Sequence, residues 1–169
     1  VGSEMCIRDR LHHPMFDLFD MSSLRTGIMA GSLCPVELMK QVEEKMYMKV
    51  TSVYGLTEAA PGMTATRIDD SFDVRCNTVG RDFEHTEVKV IDPETGEECP
   101  VGVQGEMCNR GYNTMKGYYK NPQATAEVID KNGFLHSGDL GVKDEDGNYR
   151  ITGPVSYTHL RAHETRHDL

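Results

Sequence analysis

Two short apolar segments separated by an amphipathic one constrain the fold of this chain more than any other feature. Residues 24–30 and 50–54 have the length and composition of buried strands. Between them, Pro35 suits the first position of a helix, and one apolar residue recurs every three or four positions. The residues in this stripe are Val36, Met39, Val42 and Met46. A strand, a helix and a second strand within about thirty residues predict a βαβ unit with parallel strands and a right-handed crossover.

Small, hydroxyl and acidic residues follow both predicted strands at the same end. Gly31 and Ser32 come after the first strand, and the sequence Tyr-Gly-Leu-Thr-Glu at 54–58 ends the second. Because ligands of parallel sheets bind outside the carboxyl ends of the strands, we expect these segments to form one site. Gly55 would let the backbone come close to a ligand. Glu58 offers a carboxylate suited to Mg²⁺, a hard cation.

The pattern changes to alternating, β-rich sequence after about residue 70. We therefore expect an αβ segment over 11–70 and a β-rich segment over 71–153, which makes the fold class α/β followed by mostly β. Asn121 and Pro122 are typical of a helix start, and that helix is expected to reach about residue 130. The predicted strands of the second segment are 87–92, 105–111, 134–136 and 149–151.

Composition limits the classes of function that the chain can have. The 27 acidic residues outnumber the 18 Lys and Arg residues, and the net charge of −9 argues against a nucleic-acid-binding surface. No apolar run has the roughly 20 residues of a membrane span, and no secretory signal is visible. The cysteines lack CxxC or zinc spacing, which favours reduced thiols in a cytosol-like compartment.

The two ends of the chain are expected to be non-native. When codons are assigned to residues 155–163, the reverse complement of that DNA translates as residues 1–9, so nine codons agree across opposite strands. This agreement indicates a sequencing adapter that is read in opposite senses at the two ends. We therefore expect residues 1–10 and 154–169 to be adapter-derived, and we exclude them from predictions about the fold.

Three short motifs resemble those of the adenylate-forming (AMP-binding) superfamily. They are Tyr-Gly-Leu-Thr-Glu at 54–58, Gly138–Asp139, and the Gly31–Ser32 loop. Within the superfamily, the sequence is most similar to the branch that activates medium- and long-chain fatty acids as acyl-CoA thioesters. The segments that favour this branch are 11–14, 25–32 and 115–119. The resemblance implies an internal fragment of the large N-terminal domain, with part of an αβ subdomain and a β-barrel-like subdomain.

The same resemblance implies roles for individual residues. Tyr54 would stack near adenine, Thr57 would bind the α-phosphate, and Glu58 would place a magnesium ion, so Thr57 and Glu58 are the catalytic candidates. Asp139 would bind both ribose hydroxyls, since a carboxylate can accept two hydrogen bonds at once. The remaining candidates for the nucleotide site are Gly31, Ser32, Gly55, Leu56 and Ile151.

The activity implied by the resemblance is ATP-dependent ligation of a fatty acid to CoA, with Mg²⁺ as cofactor. The partners would be small molecules, without nucleic acid or a transmembrane segment, and the location would be cytoplasmic. The family's phosphate-gripping loop would lie upstream of Leu11, and its adenylation lysine would lie in a C-terminal domain downstream of Gly153. The 169 residues are therefore expected to be inactive by themselves.

Two alternatives remain open at the level of sequence. An adenylating ligase for an aryl or amino acid would carry the same nucleotide motifs. A non-catalytic, β-rich binding module could contain Tyr-Gly-Leu-Thr-Glu by coincidence. Binding of a non-hydrolysable acyl-AMP analogue separates the second alternative from a ligase, since a binding module of that kind should ignore the analogue.

Overall fold

The strands of the chain form two sheets. The computed structural model describes residues 3–30 and 35–155, and within these ranges each sheet has four strands. The first sheet contains β1 (Thr26–Ala30), β2 (Lys49–Tyr54), β3 (Thr64–Ala65) and β4 (Arg81–Asp82). The second contains β5 (Thr86–Ile91), β6 (Gly105–Gly111), β7 (Leu135–Lys143) and β8 (Tyr149–Pro154). The helices are α1 (Ser3–Leu11), α2 (Val36–Met46), α3 (Phe72–Asn77) and α4 (Pro122–Val128), and none within the described ranges is long and apolar enough to cross a bilayer.

The predicted parallel strand pair is confirmed in the first sheet. β1 and β2 run parallel, with Thr26 opposite Lys49 and Ala30 opposite Val53, and α2 lies between them in the chain. β3 and β4 extend this sheet by antiparallel pairing. The carboxyl end of β2 therefore delivers Tyr54 and the segment after it to one edge of the sheet.

The buried face of α2 differs by one residue from the predicted stripe. Leu38, Met39, Val42 and Met46 are buried, whereas Val36 is 39% exposed, so its assignment to the apolar face was wrong. The cause is helical geometry, because successive residues are about 100° apart around the axis. The four buried residues fall within an arc of about 100°, and Val36 lies about 60° outside it.

The predicted β-rich second half is also confirmed, with one strand longer than expected. β5, β6, β7 and β8 are consecutive antiparallel neighbours. The prediction of a short strand over 134–136 was wrong in length, because β7 continues to Lys143 through the polar sequence Ser-Gly-Asp. The α4 helix begins as expected, where the side chain of Asn121 accepts a hydrogen bond from the amide of Ala124, but it ends at Val128.

Tyr149 joins the end of the first sheet to the second sheet. Its side chain is fully buried, and its hydroxyl donates a 2.7 Å hydrogen bond to the carbonyl of Val88 in β5. Its backbone exchanges hydrogen bonds with Val79 and Gly80, which directly precede β4. A single apolar cluster contains Tyr149 and, from the segment after β2, Ala59 and Met63. The two sheets are therefore packed against each other beside the end of β2.

Helix α1 crosses the boundary that was predicted at residue 11. Leu11 is buried, and Ile7 packs against the apolar cluster under α2. The adapter origin of residues 1–10 and 154–169 stays a prediction, as does the division at residue 70. β4 lies beyond residue 70 and belongs to the first sheet.

Candidate active site

Tyr54 and Asp139 meet at the junction of the two sheets. Tyr54 is the last residue of β2, Asp139 lies in β7, and the tyrosine hydroxyl donates a 2.8 Å hydrogen bond to Asp139 Oδ2. Burial is the largest cause that raises the pKa of Tyr54 above its ordinary value; a hydrogen bond with Ser137 opposes it, and the charge and hydrogen bond of Asp139 raise the pKa further. Tyr54 is therefore a neutral donor that fixes one oxygen of the Asp139 carboxylate.

The turn after β2 depends on the absence of a side chain at Gly55. A Cβ at this position would lie 1.9 Å from the carbonyl oxygen of Pro61 and 2.8 Å from Cα of Gly62. Sequence reasoning explained Gly55 by the approach of a ligand, but here the chain's own backbone makes the close approach. The glycine allows the segment to fold back on β2, where the amide of Met63 donates to the carbonyl of Tyr54.

Glu58 is held in place by the segment that precedes α4. Its Oε1 accepts a 2.8 Å hydrogen bond from the hydroxyl of Tyr118, and its backbone carbonyl accepts one from the amide of Met115. The hydrogen bond to Glu58 raises the pKa of Tyr118. Neighbouring Thr57 is exposed. Sequence reasoning treated 115–119 only as a mark of the fatty-acyl branch, and it missed Tyr118 as a neighbour of the site.

The remaining candidates are apolar or lie outside the described part of the chain. Leu56 and Ile151 are half-buried, and both pack against the apolar cluster that contains Tyr149. Gly31 and Ser32 fall within 31–34, outside the described residues. The structure thus brings together Tyr54 and Asp139 directly, with Leu56 and Ile151 beside the same cluster and Thr57 and Glu58 in the adjoining turn.

Glu106, Cys108 and His136 form a second polar group, which sequence reasoning missed. One ligand atom from each lies within 4.8 Å of the other two, which is close enough for a shared metal ion. However, Glu106 Oε2 already accepts a 2.8 Å hydrogen bond from His136 Nδ1. Burial also raises the pKa of Cys108, and metals bind the thiolate rather than the thiol. We interpret the group as a hydrogen-bonded cluster that supports the strand carrying Asp139.

Comparison with known proteins identifies the family of the chain. The family described as AMP-binding enzyme matches residues 4–119, which is more than half of the chain. The chain belongs to the AMP-binding enzyme family. The resemblance drawn from the short motifs is therefore confirmed, and so is the expected fold class.

Relatives of this AMP-binding chain are acyl-CoA synthetases and ligases by name. The YngI protein of Bacillus subtilis, assigned as an acyl-CoA synthetase, is 55% identical over 155 residues, covering 91% of this chain and 28% of YngI. The mitochondrial medium-chain acyl-CoA ligase ACSF2 of Rattus norvegicus is 37% identical over 153 residues, covering 90% of this chain and 25% of that protein.

A solved structure has a similar fold over the same part of the chain. The ATP-bound RpMatB-BxBclM chimera B3 is 28% identical and superimposes with a TM-score of 0.77, covering 90% of this chain and 30% of that one. The chain therefore spans between a quarter and a third of the length of the proteins that it matches.

The turn after β2 has a donor set that fits Mg²⁺. Glu58 supplies a half-buried carboxylate whose Oε1 is oriented by Tyr118, and the hydroxyl of Thr57 is next to it in the sequence. Mg²⁺ prefers oxygen ligands and is usually held by one or two carboxylates together with water and substrate phosphates. In this AMP-binding chain, Glu58 is thus the residue suited to such an ion.

Proposed function

We propose that the chain supplies part of the nucleotide site of an ATP-dependent carboxylate–CoA ligase. The observation that carries the proposal is the hydrogen bond between Tyr54 and Asp139, which brings an aromatic ring and a carboxylate together where two sheets meet. An aromatic face suits a purine, and a carboxylate suits a cis-diol. Membership of the AMP-binding family supports a nucleotide in this position.

In the proposed reaction, an oxygen of the fatty-acid carboxylate attacks the α-phosphorus of ATP, and pyrophosphate leaves. The CoA thiolate then attacks the acyl carbonyl of the acyl-AMP, and AMP leaves. Asp139 holds the ribose through the oxygen that Tyr54 leaves free, Thr57 donates to the α-phosphate, and Glu58 holds the cation. Mg²⁺, when bound, supplies positive charge that offsets the phosphate oxygens. Leu56 and Ile151 are the proposed apolar contacts of the nucleotide, and Gly31 and Ser32, which lie outside the described residues, keep their sequence-based assignment to the same site.

None of these residues forms a covalent bond with the substrate in the proposed reaction. Their contribution is to hold the α-phosphate in line with the attacking carboxylate, which is a matter of position and charge. The parent enzyme consequently needs groups from other parts of the protein to complete the phosphate site. We propose that the 169 residues do not catalyse adenylation by themselves, in keeping with the quarter to a third of their relatives' length that they span.

A fatty acid is the proposed acid, and the cytoplasm is the proposed location. The acid is supported by the name of the rat relative, a medium-chain acyl-CoA ligase. The location is supported by the scattered cysteines, whose spacing matches neither a CxxC pair nor a zinc site. The rat relative is named as mitochondrial, so import of the chain into an organelle is the outcome that would contradict a cytoplasmic location.

A hybrid enzyme tests the proposal. Residues 11–153 replace the aligned segment of Bacillus subtilis YngI, and ATP–pyrophosphate exchange is measured with octanoate, palmitate and benzoate. We expect exchange with a fatty acid, loss of at least about a hundredfold in the Asp139→Ala hybrid, and no exchange by the 169-residue chain alone. Exchange that survives Asp139→Ala contradicts the proposed site, and a preference for benzoate contradicts the fatty-acid proposal.

A further inference from the structure

The strand that carries Asp139 is interrupted by a bulge at that residue. In the pairing of β6 with β7, Glu106 is opposite Leu140 and Cys108 is opposite His136. Three residues of β7 (137–139) therefore stand opposite the single residue Met107. This β7 bulge (137–139) takes Asp139 out of the pairing with β6, while Asp139 stays opposite Pro154 in β8 and its carboxylate reaches the hydroxyl of Tyr54. Bulges re-aim side chains in this way beside many functional sites.

The β7 bulge has little internal support. Its central residue, Gly138, has a φ of +74°, is exposed, and would meet no atom within 4 Å even if it carried a Cβ. A glycine in open space has access to many backbone conformations, so its geometry must be fixed by other groups. Within the bulge, the amide of Asp139 donates to Ser137 Oγ at 3.1 Å, which restrains one side only.

The carboxylate of Glu106 restrains the backbone of the β7 bulge at Gly138. Its side chain is 12% exposed, Oε1 accepts a 2.9 Å hydrogen bond from the amide of Gly138, and Oε2 accepts one of 2.8 Å from His136 Nδ1. One side chain of β6 therefore holds both the residue that precedes the β7 bulge and the centre of the bulge. Hydrogen bonds to a carboxylate are shorter and stronger than those between neutral groups.

We propose that Glu106 is a positioning residue for Asp139, which it holds in the geometry that binds the ribose hydroxyls. The inference rests on the proposed function, because it takes Asp139 to be the group that contacts the ribose. Glu106 itself touches no substrate in this proposal. It acts through the amide of Gly138, and His136 orients it from the other side.

The positioning of Asp139 can be measured by comparing the affinities of the chain for AMP and for 2′,3′-dideoxy-AMP. AMP has both ribose hydroxyls and 2′,3′-dideoxy-AMP has neither, so the ratio of their Kd values reports the contact made by Asp139. The ratio is obtained by NMR titration of the 169-residue chain with each nucleotide. Loss of folded protein weakens both affinities equally and leaves the ratio unchanged, so a merely structural role of Glu106 would not alter it.

Two substitutions and a control separate the possible outcomes. Glu106→Ala should lower the discrimination ratio by about tenfold, since it removes a charge-assisted hydrogen bond to the bulge. Glu106→Gln should retain most of the ratio, because the amide oxygen can accept from Gly138 while the amide nitrogen donates to His136 Nδ1. Glu87→Gln on the neighbouring strand β5 removes an exposed ion pair with Arg110 and should leave the ratio unchanged.

Several results would overturn the inference. A Glu106→Ala chain that keeps the wild-type ratio shows that Asp139 is positioned without Glu106. The amide of Gly138 in the wild-type chain should be protected from hydrogen exchange, and exchange at the rate of a free amide contradicts the proposed contact even if Glu106→Ala does not fold. A wild-type chain that does not prefer AMP over 2′,3′-dideoxy-AMP instead contradicts the proposed function, so the two failures are distinguishable.

Discussion

The hydroxyl of Tyr54 donates a 2.8 Å hydrogen bond to Asp139, although 85 residues separate the two in the chain. Tyr54 belongs to the first sheet and Asp139 to the second, so this bond spans the junction between them. The bond occupies one oxygen of the carboxylate and leaves the other available for a ligand. Formation of the site and packing of the two sheets are consequently linked.

Replacement of Tyr54 by Phe should weaken both stability and nucleotide binding. The substitution leaves a half-buried carboxylate without its donor, and we expect the free energy of unfolding to fall by about 1–3 kcal/mol. Urea denaturation measures the change, and Tyr112→Phe is the matched control because Tyr112 is 74% exposed. If the two variants have equal stability, the Tyr54–Asp139 bond contributes nothing to the fold.

Alkaline pH should destabilise the chain through its buried tyrosines. Burial is the largest cause of the raised pKa in both Tyr54 and Tyr149. Because the folded-state pKa values lie above the unfolded value of about 10, the stabilisation is fully present below pH 10 and is lost as pH rises above it. Urea midpoints at pH 8 and pH 11 should therefore differ, and the difference should be smaller in Tyr54→Phe. A difference of the same size in that variant would show that Tyr54 ionises freely.

Replacement of Gly55 by Ala should prevent the turn after β2 from closing. The added Cβ would overlap backbone atoms of the segment 61–63, which cannot move as a flexible side chain can. We expect a loss of about 3 kcal/mol or more in the free energy of unfolding. Gly27→Ala is the control, since its Cβ would meet the end of the Met48 side chain at 3.1 Å, and about 1 kcal/mol or less is expected. Similar losses at both positions would contradict the close backbone approach at Gly55.

Replacement of Tyr118 by Phe should raise the Mg²⁺ concentration needed for exchange in the hybrid enzyme. The hydroxyl of Tyr118 orients the Glu58 carboxylate, and loss of one hydrogen bond corresponds to about a two- to tenfold change. Tyr119→Phe is the adjacent control because Tyr119 is 87% exposed. An unchanged Mg²⁺ requirement in Tyr118→Phe would mean that Glu58 needs no orientation by Tyr118.

The parts of the fold that depend on periodicity could be predicted from sequence. The spacing of Met39, Val42 and Met46 predicted α2, and the apolar segments on either side predicted β1 and β2. These elements form because each places its apolar residues on one side, which is a local property of the chain. The strand end that carries Tyr54 followed from the same pattern.

The parts that depend on contacts between distant strands could not be predicted. The continuation of β7 was missed because Ser137, Gly138 and Asp139 break the apolar alternation where the strand bulges. Glu106 and Gly138 are 32 residues apart, and their hydrogen bond exists only because β6 and β7 pair in one particular register. The structural reason for Gly55 was also missed. The backbone that approaches it belongs to residues 61–63, and the shape of the turn that brings them back to β2 cannot be predicted from the sequence.

Tyr149 makes the candidate site depend on how the two sheets pack together. Its buried ring and its hydrogen bonds to Val79, Gly80 and Val88 hold the end of the first sheet against the second. Tyr54 and Asp139 belong to different sheets, so the hydrogen bond between them can form only while that packing is intact. Nucleotide affinity should therefore be lost when the two sheets separate, even if circular dichroism shows that each sheet keeps its own strands.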